Sequence, residues 1–209
     1  MRSTIVFARL LALCLCVTPA IAQQDLYNNG PTNGDGNGWT IDFGFAVSDQ
    51  FTLSSNSTVN GLNFALHLFP GDVLETAEVS ITSSEFGGTS YFDQTVSFTQ
   101  LGSCFSNPFG FNVCSESGTF GDVSLNAGNY WLNLQNAATN TGDPVFWDQN
   151  NGPSLASESS LGTIPSESFT ILGSSTGTGT GTTPEPSSLI LFASGIIGVF
   201  GIMRRKFFE

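Results

Sequence analysis

Leu62-Asn63-Phe64-Ala65-Leu66-His67-Leu68-Phe69 decides how this chain folds. Leu62, Phe64, Leu66 and Leu68 recur at every second position, so an extended backbone turns all four to one face and Asn63, Ala65 and His67 to the other. A helix would scatter the same side chains around its circumference. The period of two returns at Val79-Ser80-Ile81-Thr82 and at Tyr130-Trp131-Leu132-Asn133-Leu134-Gln135. Further strands are expected over 40–47, 50–54, 91–99, 122–125, 145–148 and 168–172. Turn chemistry lies between them at Asn60-Gly61, Pro70-Gly71-Asp72, Gly87-Gly88, Asn126-Ala127-Gly128-Asn129 and Asn151-Gly152-Pro153. Many short strands at this spacing predict an all-β, antiparallel β-sandwich over residues 23–172, jelly-roll or immunoglobulin-like in layout. His67, on the face opposite the leucines, is expected to be half-exposed.

Outward from this body the composition changes on both sides. Residues 173–183 read GSSTGTGTGTT, with nothing apolar to bury, and so form a flexible tether. At the start, Arg2 and Arg9 precede an apolar stretch from Leu10 to Val17 and the small-residue site Ala20-Ile21-Ala22. That pattern is a secretory signal peptide over 1–22, a helix whose removal leaves Gln23 first. At the end, 184–209 opens with Pro184-Glu185-Pro186, runs through an apolar segment over 187–203, and reaches Arg204-Arg205-Lys206. Seventeen apolar-segment residues, as a helix rising about 1.5 Å each, span about 25 Å, slightly under the hydrocarbon thickness of a bilayer. This is a short transmembrane helix closed by a basic stop.

The triplet, the hydrophobic segment and the basic cluster, in that order, resemble the PEP-CTERM sorting signal of exopolysaccharide-producing bacteria. The resemblance implies an exosortase-type processing enzyme as partner. It also implies that Pro184, Glu185 and Pro186 are the recognised element, and that the chain is held in the membrane before processing and reaches the cell surface or exterior after it. The segments around Tyr130-Trp131 and Phe146-Trp147 are similar to the β-sandwich bodies of other proteins with this tail.

All five Lys and Arg residues, Arg2, Arg9, Arg204, Arg205 and Lys206, lie in the two end segments. Of seventeen acids only Glu185 and Glu209 lie outside the body, which leaves it fifteen carboxylates and one histidine. Such a surface repels phosphate backbones, so nucleic-acid binding is excluded. The body's carboxylates have no ammonium or guanidinium partners; they must be solvated, accept hydrogen bonds or meet a cation. Of the four cysteines, Cys14 and Cys16 fall in the signal peptide. Cys104 and Cys114 remain, and in an oxidising compartment they are expected to form a disulfide.

Three chemistries are conceivable for the body. Asn33-Gly34-Asp35-Gly36-Asn37-Gly38 spaces oxygen side chains as the first half of a calcium loop does, with Asp35 and Asn37 as ligands and Asp42 as a weaker third. The position for a closing glutamate is Gly44, so a solvated turn is the ordinary reading. Catalysis lacks a complete set: His67 is the one histidine, and no Gly-x-Ser-x-Gly elbow or His-Glu-x-x-His pair is present, so no enzyme is expected. Trp147 followed by Asp148, with Trp131, offers a flat apolar face beside polar groups, as a sugar ring requires. The expected function is therefore a non-enzymatic surface or matrix component, with a carbohydrate-binding module, calcium-dependent or not, as the alternative.

Overall fold

The computed structural model describes residues 23–34 and 37–175. The helices expected over 1–22 and 187–203 lie outside the described residues. Among those described there is no helix, and none long and apolar enough to cross a membrane. Twelve strands follow one another in chain order: β1 (Gln24–Asn28), β2 (Gly38–Thr40), β3 (Ala46–Leu53), β4 (Ser57–Leu68), β5 (Leu74–Ser84) and β6 (Gly87–Ser106), then β7 (Asn112–Leu125), β8 (Gly128–Thr139), β9 (Phe146–Asp148), β10 (Ala156–Glu158), β11 (Gly162–Ile164) and β12 (Phe169–Ser175).

Every pairing is antiparallel, and the hydrogen-bonded path runs β1-β12-β4-β7-β6-β5-β8-β3-β10-β11, with β9 joining β4 and β2 joining β9. The expected all-β antiparallel class therefore holds, as a continuous curled, half-barrel path of strands. The cause is β6, twenty residues long. Its first part pairs β5, up to Ser97 opposite Thr76, and its second part pairs β7 from Phe98 opposite Gly118. One strand long enough to serve two neighbours in succession carries the sheet around the core without a break.

Leu62, Phe64, Leu66 and Leu68 all face that core, together with Val47, Phe51, Val79, Ile81, Leu132 and Leu134 from the opposite wall. Trp147 is the largest fully buried side chain, its ring edge-on to Phe64 at 6.1 Å and to Phe169 at 5.7 Å.

Local signals were overridden where pairing on both sides was available. Asn60-Gly61 is not a turn but a bulge inside β4, where the register against β7 shifts between Val59 and Gly61. A side chain at Gly61 would meet the Gly118 carbonyl oxygen at 2.9 Å, so glycine serves close approach here. The strand expected over 40–47 is broken by a turn in which Phe45 N–H donates to the Asp42 carbonyl at 2.8 Å, with Phe43 and Gly44 at positive φ. Strand β12 continues through Gly173, Ser174 and Ser175, opposite Val59, Thr58 and Ser57, so pairing runs three residues into the stretch expected as tether.

Candidate functional site

His67 is 1% exposed, not half-exposed. Strand β9 docks beside the end of β4, His67 opposite Phe146, while Phe111 and the chain near Gly38 lie over the imidazole. Trp147 turns into the core and its neighbour Asp148 turns the other way, which brings Asp148 Oδ1 2.6 Å from His67 Nε2. Asp148 Oδ2 accepts the Asn33 N–H at 3.3 Å. With both groups buried, the pair ties β4, β9 and the segment after β1 together.

A second polar cluster lies where β3 and the start of β12 approach each other. Asp49 is in phase with Val47, Phe51 and Leu53, so it faces inward, and its Oδ2 accepts the Glu167 N–H at 2.8 Å and the Asn29 amide at 3.1 Å. The same Asn29 amide nitrogen lies 2.7 Å from Ser154 Oγ and 2.8 Å from Ser166 Oγ. Burial pushes the Asp49 carboxyl up to about 6, against hydrogen bonds that favour its charged form. Burial, then the charges of Asp49 and Asp148, hold Glu167 well above the usual range, and neither of its carboxyl oxygens has a hydrogen-bond partner among the described residues. Glu116, on β7 opposite Phe64, is 1% exposed and likewise has no partner for either oxygen, and burial pushes it up to about 7.

These acids were missed by motif spacing. The signal was present as phase: Asp49 among Val47, Phe51 and Leu53, Glu116 two residues from Cys114, and Glu167 two residues from Phe169.

The sugar platform expected at Trp147 is corrected: the ring is 0% exposed and its Nε1–H donates to the Ser168 carbonyl at 3.0 Å, so no face is left for stacking. Asp148 is likewise buried, and Trp131 lies half-buried on the outer face of β8, so the three residues do not form one surface. Asp35 lies outside the described residues. Asn37 is exposed, with its carbonyl accepting the Gln149 N–H at 3.1 Å. Asp42 Oδ2 accepts the Val145 N–H at 2.9 Å and thereby pins the chain entering β9. Among the described residues no three His, Cys, Asp or Glu side chains are grouped to hold a metal ion. Cys104 and Cys114 are joined in a disulfide across the β6–β7 hairpin.

Residues 182–206 match the PEP-CTERM protein-sorting motif. The tail is that motif. The match spans Pro184, Glu185 and Pro186 as well as Arg204, Arg205 and Lys206, and implies an exported protein recognised by an exosortase. No curated protein matches the chain.

Proposed function

We propose that the chain is a non-enzymatic surface or matrix component: a β-rich body carried out of the cell, held briefly by its C-terminal segment over 187–203, and released when the tail is cut near Pro184-Glu185-Pro186. The observation that carries this reading is the sorting motif at 182–206, joined to a body without Lys or Arg. The disulfide between Cys104 and Cys114 supports an oxidising destination. A non-enzymatic role is supported by the burial of His67 beneath Phe111, which keeps a substrate from the imidazole.

The test is intact mass of the protein recovered outside a producing cell, with and without the exosortase gene. The expected product begins at Gln23 and lacks the basic cluster, and loss of the exosortase leaves a longer, membrane-bound chain. Full-length protein in the cytosol with free thiols at Cys104 and Cys114 contradicts the proposal.

A further inference from the structure

The side-chain nitrogen of Asn29, just after β1, is surrounded by more oxygen than an amide can bond. The Glu167 carbonyl and Ser154 Oγ lie 2.7 Å from Nδ2, Ser166 Oγ 2.8 Å and Asp49 Oδ2 3.1 Å. The nitrogen carries only two protons, which cannot make straight bonds to all four. A carbonyl can only accept, and Tyr27 O–H donates to Asn29 Oδ1 at 2.7 Å, so the two ends of the amide are fixed. Asn29 and Asp49 are fully buried, whereas Ser154, between β9 and β10, is half-buried and reaches the surface.

Ser154 Oγ, at 2.7 Å from Nδ2, is no more than about 4 Å from the amide carbon, because the C–N bond is about 1.33 Å. A small rotation of the serine brings it to attacking distance. The neighbours complete an acyl-transfer set. The Asp49 carboxylate also takes a hydrogen bond from the Ser154 hydroxyl, so it is placed as the base, and its Oδ2 lies close enough to Nδ2 to hand the proton on. Tyr27 O–H already sits on the oxygen where negative charge would develop.

From this arrangement we infer that Asn29 and Ser154 join in an intramolecular ester, made once by the folded chain from its own side chains. Ser154 Oγ gives its proton to Asp49 and bonds to Asn29 Cγ, while the carbonyl electrons move onto Oδ1 under Tyr27 O–H. The carbonyl then re-forms, the Cγ–Nδ2 bond breaks, Asp49 passes the proton to the nitrogen, and ammonia leaves past Ser154. No oxidant, reductant or cofactor is consumed. The bond ties the end of β1 to the β9–β10 connection, 125 residues further along the chain. It is a single event and not turnover, and it does not depend on where the tail delivers the body.

The experiment follows the full chain in detergent after cell-free synthesis, with circular dichroism to confirm folding and peptic digestion with mass spectrometry to read the bond. The peptides holding Asn29 and Ser154 are expected as one species, lighter than their sum by one ammonia. Ser154→Ala should abolish that species. Asp49→Asn should slow its appearance on the order of a hundredfold, the loss of a general base, and Tyr27→Phe should slow it by about the same factor, the loss of an oxyanion donor. Separate peptides from the folded wild type overturn the inference, as does a bridge through Ser166. Ammonia lost only within the Asn29-Gly30 peptide, as a succinimide, overturns it too. The wild-type digest decides whether or not any variant folds. The export proposal is read from its own processed mass and survives a negative result here.

Discussion

Glu116 faces the core in phase with Cys114 and opposite Phe64, so a carboxyl group occupies a position its neighbours fill with apolar atoms. In the folded chain it titrates at about 7, raised by burial from an ordinary 4.5. Between those values the folded state holds a proton that the unfolded state has lost, so stability is greatest below the ordinary value and falls as pH rises through about 7. Asp49, raised to about 6, and Glu167, also raised, act in the same direction. Melting at pH 5 should therefore be higher than at pH 8. Glu116→Gln should flatten that slope and stabilise the fold at pH 8 by about 1–2 kcal/mol, less than the full shift because water relaxes around the carboxylate. A variant that melts no higher than wild type at pH 8 would rule this out.

The hairpin of β6 and β7 is the element on which the curled sheet depends, because β6 passes the hydrogen-bonding path from β5 to β7. Its register shifts between Leu101 and Phe105, and Cys104 lies within that irregular stretch, bonded to Cys114 on the partner strand. At the tip, Asn107 Oδ1 accepts the N–H groups of Phe109 and Phe111, both at 3.0 Å, which closes the turn without further cross-links. The disulfide thus secures pairing where the ladder is weakest. Replacing both cysteines by serine should cost about 2–3 kcal/mol, the loop-closure value for a short ring. Calorimetry gives the loss, and amide exchange should quicken first from Leu101 to Asn112. Unchanged exchange there, with uniform loss elsewhere, would place the disulfide's effect in the unfolded chain alone.

At the scale of the molecule, β1 and β12 bring the two ends of the described body to one end of the sheet: Gln24 lies opposite Gly173, and Ser175 opposite Ser57. The turns bearing the exposed rings of Phe43, Phe69 and Phe109 lie toward the other end, beyond the Leu68 terminus of β4. Across the whole body, fifteen carboxylates repel one another without a single Lys or Arg between them. Raising ionic strength from about 0.01 to about 0.15 M shortens the screening length from about 30 to about 8 Å. Melting temperature should accordingly rise by several degrees at pH 8 and by less at pH 5. A fall on adding salt would show that hydrogen-bonded carboxylates, not self-repulsion, dominate the balance.

What the sequence determined by itself is whatever depends on order along the chain: alternation at Leu62–Leu68, the tail at 182–206, the pairing of the only two body cysteines, and the confinement of every Lys and Arg to the ends. Asp49, Glu116 and Glu167 were legible as acids in the wrong phase, since phase is also a local property. Tertiary structure alone decided that β6 joins the sheet into one curled surface and that β9 buries Trp147, His67 and Asp148 against β4. Those outcomes rest on which strand lies beside which, and hydrogen bonds between backbones carry no mark of their distant partner until the chain has folded.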